Sequence, residues 1–152
     1  MSRRLAVLAT GVIVVMLVAA GRLSAQQGQL PWQTSWTAFV EALGPLPGTE
    51  SMRTYRQFEG RPVTWEGVAR PSSDATFPVE TTPSAAAGYD VILQVTPRGR
   101  ELTQWKRLAV GSRIRFKGSI ATVFPVAVTR VGGTSTTTTV AVFVKGAELV
   151  ER

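Results

Sequence analysis

The spacing of apolar residues changes period several times along the chain, and each change predicts a different element. An apolar run covers 5–20. Trp36, Phe39, Val40 and Leu43 then recur at i, i+3, i+4 and i+7, which puts them on one face of a helix over 31–43. Pro31 suits its first turn and Gly44-Pro45 stops it. Residues 46–54 (LPGTESMRT) read as a linker turning at Pro47-Gly48. From Tyr55 the period becomes two. Val63, Trp65, Gly67 and Ala69 alternate with Thr64, Glu66, Val68 and Arg70, a strand ended by Pro71. Ser72-Ser73-Asp74 turn into a weak strand over 76–81, which Pro78 assigns to an edge or a bulge. After a small-residue loop at 83–88, Tyr89, Val91, Leu93 and Val95 alternate as a buried strand that ends at Pro97.

Residues 101–110 break the alternation. Leu102, Trp105 and either Leu108 or Ala109 return at helical spacing, and Gly111 closes that short helix. Ile114, Phe116 and Ile120 then face one way, while Arg113, Arg115, Lys117 and Ser119 face the other. This is the most amphipathic strand in the chain. A long loop is expected over 125–139, holding Arg130, Gly132-Gly133 and a Ser/Thr tract. The last full strand is expected at 140–144, with 147–150 extending it past Lys145-Gly146.

Helix, three strands, short helix and two strands is the element order of an OB-fold, a five-stranded Greek-key barrel. Phe58-x-Gly60-Arg61-x-Val63-x-Trp65-x-Gly67 resembles the opening strand of the tRNA-anti-like group of OB-folds. Leu108-x-x-Gly111-x-x-Ile114-x-Phe116-x-Gly118 resembles that group's fourth strand, and Ala147-Glu148-Leu149-Val150 its closing strand. The resemblance spans about 58–150 and carries no catalytic signature. The leading helix and the Thr-rich loop depart from the group's pattern. The expected fold is mostly β: an OB-fold-like barrel with a short helix between strands 3 and 4 and an N-terminal amphipathic helix. That helix should plug one end of the barrel or cover one side. A β-sandwich or an SH3-like barrel is the alternative.

Arg3-Arg4 before the 5–20 run, and Leu23-Ser24-Ala25 after it, have the form of an export signal cut before Gln26. Its apolar stretch is shorter than the ~20 residues a spanning helix needs, which separates it from the alternative, an uncleaved N-terminal anchor. The expected organisation is a signal peptide at 1–25, a helix and linker at 26–54, and an OB-fold-like barrel domain at 55–152. A periplasmic or secreted location follows.

Net charge is +7 over 152 residues; without Arg3, Arg4 and Arg22 the balance is 14 basic against 10 acidic, or +4. That permits an acidic partner without demanding one. The chain has no cysteine, so there is neither a disulfide staple nor a lipidation site. It also has no histidine. The usual general base and the usual zinc, copper and iron ligands are therefore missing together, and neither an enzyme nor a cofactor is expected.

The candidate ligand-binding residues are Arg113, Arg115 and Lys117 on one strand face, with Arg130 and Arg70 on the flanking loops and Arg107 nearby. A cationic stripe can meet phosphate, an acidic polysaccharide or an anionic surface, and it also suits an ordinary solvated strand face. Phe77 and Tyr89 are the aromatic candidates for stacking on a nucleic-acid base. Glu59, Glu66, Asp74, Glu80 and Asp90 supply carboxylates, but no motif fixes a pair of them at hydrolytic separation. The expected function is a non-enzymatic exported binding or adaptor domain of the bacterial cell envelope, contacting a protein or an anionic oligosaccharide. Its contacts would come from the loops at 70–74 and 125–139. An assembly component docking through the N-terminal helix is the alternative, ahead of a single-stranded nucleic-acid binder or a cryptic hydrolase.

Overall fold

The computed structural model describes residues 28–45, 55–86, 88–129 and 136–150. The leader, the 46–54 linker and Arg130 lie outside them. Six strands form: β1 (Pro62–Ala69), β2 (Phe77–Glu80), β3 (Ala85–Ala86), β4 (Tyr89–Pro97), β5 (Arg113–Thr129) and β6 (Thr136–Leu149). β1 pairs antiparallel with both β2 and β5, β5 with β6, and β2 with β4, while β4 and β6 run parallel. The circuit β1-β2-β4-β6-β5 returns to β1, so five strands close an OB-fold-like barrel, with β3 a short extra pairing on β4.

Alternation does most of the building. Val63, Trp65 and Ala69 of β1 are buried, as are Val91, Leu93 and Val95 of β4 and Ile114, Phe116 and Ile120 of β5, and all join one hydrophobic core. Two glycines let the strands cross closely. A Cβ on Gly67 would stand 2.5 Å from Val79 Cγ1, and one on Gly118 would stand 2.6 Å from Val144 Cγ1.

The predicted N-terminal helix is two helices, α1 (Pro31–Thr34) and α2 (Trp36–Leu43). Ser35 separates them because its extended backbone makes it an N-cap, its hydroxyl accepting from the Ala38 N–H at 3.3 Å. The break does not detach the segment. Trp36, Phe39, Val40 and Leu43 are buried in the common core, covering one end of the barrel beside Phe58 and Trp65. Four hydrogen bonds tie the segment down. Trp65 Nε1 donates to the Trp32 carbonyl (2.9 Å), Trp36 Nε1 to that of Pro83 (2.7 Å), and Gln33 Nε2 to that of Pro62 (2.9 Å). The Tyr89 hydroxyl donates to the Gly44 carbonyl (2.6 Å). The far end is filled by Trp105 of α3 (Leu102–Lys106), which follows a 3₁₀ turn at Gly99–Glu101 and packs on Phe77 and Phe116.

Two expectations are corrected. β2 is not an edge strand: it is paired on both sides and closes the barrel. Pro78 is tolerated there because its carbonyl, and hence its missing N–H, faces the side where β1 has already ended; that carbonyl accepts from the Arg70 N–H at 3.0 Å. The long loop expected over 125–139 is mostly strand. β5 continues through Pro125 to Thr129, and β6 begins at Thr136, in register from Val126↔Thr139 to Thr129↔Thr136. Valine and threonine favour extended chain. Pro125 is accommodated because β1 starts at Pro62, opposite Ser119, so beyond Ile120 the described part of β5 pairs with β6 alone.

Burial also sets a pH response. It raises the phenol pKa of Tyr55, with the nearby Tyr89 adding to the effect, and burial raises that of Tyr89 as well. Below the ordinary phenol pKa of about 10, both states hold the proton and stability does not change on this account. Above it the unfolded chain ionises while the native phenols resist, so stability falls as pH rises. Denaturant midpoints measured between pH 8 and 11 should hold steady and then drop, and the double variant Tyr55→Phe, Tyr89→Phe should flatten that drop.

Candidate ligand-binding cleft

The register of three strands decides which charges meet. Val68 of β1 lies opposite both Glu80 of β2 and Arg113 of β5, so Glu80, Val68 and Arg113 form one row across the outer barrel surface. Glu66 and Arg115 are direct partners in the next row. Beside these rows the capped start of α2 brings up Ser35, Trp36 and Thr37, and the chain leaving β2 brings Thr81 and Thr82. Together they enclose an open cleft of about 310 Å³, with Thr64 on its floor.

Its polar groups are held to different degrees. Arg70 Nη2 lies 2.6 Å from both carboxylate oxygens of Glu80, which steadies that side chain from outside the cleft. Arg115 Nε stands 3.9 Å from Glu66, an ion pair without a hydrogen bond. Among the described residues, Arg113 pairs with no carboxylate. The Glu66 and Glu80 side chains are 58% and 57% exposed, so the cleft is wet.

Of the five candidate residues, the fold brings Arg113 and Arg115 into this cleft and directs Arg70 and Lys117 elsewhere. Arg70 is engaged by Glu80 behind it. Lys117 lies opposite Glu148 and reaches its carboxylate at 3.1 Å, where Arg98 and Arg100 also converge. The Lys117 hydrogen bond, joined by Arg100 and Arg98 and opposed by desolvation, holds the Glu148 carboxyl below its ordinary pKa. Arg130 is outside the described residues, and Arg107 is exposed at the end of α3, away from the cleft lining. Glu66 and Glu80 are the residues whose place beside the arginines sequence reasoning missed. Alternation marked Glu66 as outward-facing, but only strand pairing sets the two beside the arginines.

The aromatic expectation is also corrected. Phe77 and Tyr89 are core residues, 2% and 4% exposed, and offer no platform. The outer sheet surface instead carries Phe124 and Phe143, half-buried and stacked on each other at 5.6 Å and 7°. A second, more apolar groove of about 470 Å³ runs over β1, β2 and β4, with Val68, Pro78, Ile92 and Gln94 in its walls. Among the described residues no three His, Cys, Asp or Glu side chains gather as a metal set, and no helix is long and apolar enough to cross a membrane. No known protein family, curated protein or solved structure matches this chain.

Proposed function

We propose that this chain is an exported, non-enzymatic OB-fold binding or adaptor domain of the bacterial cell envelope, contacting a protein or an anionic oligosaccharide through the cleft at Arg113 and Arg115. The observation that carries this reading is the convergence of two guanidinium groups on one open cleft beside a rigidly tied helix start. The arginine pair supplies fixed donors for carboxylate or phosphate oxygens. Export rests on the Arg3-Arg4 leader and its Leu23-Ser24-Ala25 end. The strand phrases that resemble the tRNA-anti-like group support a binding module. A non-enzymatic role is supported by a chain without histidine or cysteine, which lacks the usual general base and thiol nucleophile. Docking through the helix face is disfavoured because that face is spent on the domain's own core.

Replacing Arg113 and Arg115 by glutamine tests the proposal. Retention on a matrix of acidic polysaccharide should be lost. The thermal midpoint should move by only about 2 °C or less, because the one ion pair removed is exposed. Unchanged retention would place the contact elsewhere, and loss of folding would assign the two arginines a structural role.

A further inference from the structure

Resting on the binding role just proposed, we infer that the cleft takes a saccharide with sparse carboxylates, such as an oligosaccharide that alternates uronic acid with neutral sugar, rather than a polyanion or an acidic peptide. The argument is the charge balance of its wall. Two guanidiniums, Arg113 and Arg115, face two carboxylates, Glu66 and Glu80. Arg70 pairs with Glu80 from behind, so the wall keeps a small positive excess that suits an isolated carboxylate, while a closely spaced polyanion also meets the charge of Glu66. A polyhydroxylated ligand uses both signs: its hydroxyls donate to the carboxylates and accept from the guanidiniums.

The state of each group agrees with this. Glu80 is paired with Arg70, and its carboxylate keeps further acceptor sites for a ligand hydroxyl. Glu66 and Arg115 stand 3.9 Å apart, so each keeps its hydrogen-bonding capacity for a ligand. Arg113 lies in the same row as Glu80 and pairs with no carboxylate among the described residues, which reserves it for a ligand's own carboxylate. The threonine and serine hydroxyls of the rim can donate or accept, as ring hydroxyls require. A volume of about 310 Å³ sits at the lower end of small-molecule sites, suited to a short saccharide segment.

Calorimetric titration of the full chain with three probes decides it: a hyaluronan oligosaccharide, in which each uronic acid alternates with a neutral sugar, the neutral N-acetyl-chito-oligosaccharide of equal length, and oligoglutamate. The hyaluronan oligosaccharide should bind tightest. Arg113→Gln should weaken it about tenfold, to near the level of the neutral sugar. Glu66→Gln carries the discriminating sign. It should weaken both saccharides several-fold by removing a charged acceptor, yet strengthen oligoglutamate by removing repulsion. Both variants should melt with the parent protein. If Glu66→Gln instead strengthens the hyaluronan oligosaccharide, or oligoglutamate binds the parent best, the saccharide inference is overturned while an anion-binding role stands. If no probe binds the parent, the inference fails together with the binding role it rests on.

Discussion

A chain lacking residues 31–44 is expected to lose its cooperative fold and aggregate. Trp36, Phe39, Val40 and Leu43 are each no more than 6% exposed. Burying such a side chain is worth ~1.5–3 kcal/mol, so the four together contribute about 6–12 kcal/mol. That compares with the whole stability of an ordinary domain, ~5–15 kcal/mol. The deletion also uncovers Phe58 and Trp65, and it strips four hydrogen bonds from the barrel end. Circular dichroism melting with size-exclusion chromatography reads the result. A monomer that still melts cooperatively would show that the helices are an appended docking element after all.

Gly67→Ala is expected to destabilise the protein by about 3 kcal/mol, the cost of forcing an atom into a packed contact. The added methyl would stand 2.5 Å from Val79 Cγ1 and 2.6 Å from the Glu80 carbonyl oxygen. Backbone cannot step aside cheaply here, because Val79 is in register with Ala69 on one side and Leu93 on the other. Alanine limits the unfolded chain more than glycine does, which alone would stabilise by about 0.4–1 kcal/mol, so the sign of the change is decisive. Urea denaturation measures it. A neutral or stabilising result would mean that β2 moves away from β1. Because Gly67 also lines the cleft, the same variant should weaken ligand binding.

The glycine at 67 shows how local pattern and tertiary structure divide the explanation. Its place in a Trp65-x-Gly67 alternation was plain from the chain, whereas its reason, the close crossing of β2, was not. Pro78 is the converse case. Proline lowers the odds of a central strand, yet β2 closes the barrel because the lost N–H falls where β1 has ended. Pro125 and the threonine tract looked like loop because proline and a run of polar residues are turn signals. Pairing of β5 with β6 made them strand. Lys117 shared its alternation with Arg113 and Arg115, and no local signal could separate them. Pairing gave Lys117 to Glu148 and left the two arginines over β1.

The sequence by itself determined the class of the fold, the apolar face of the N-terminal segment and the outward direction of the arginines, because these depend on period alone. Side chains two apart on a strand, or three and four apart on a helix, share a face whatever surrounds them. Only the tertiary structure decided that β2 and β4 meet to close a barrel, that Glu66 and Glu80 balance Arg113 and Arg115, and that an open cleft lies between them and α2. Those facts depend on register and on contacts between residues far apart in the chain. Register is set by packing and strand pairing over the whole barrel, which no local stretch of sequence encodes.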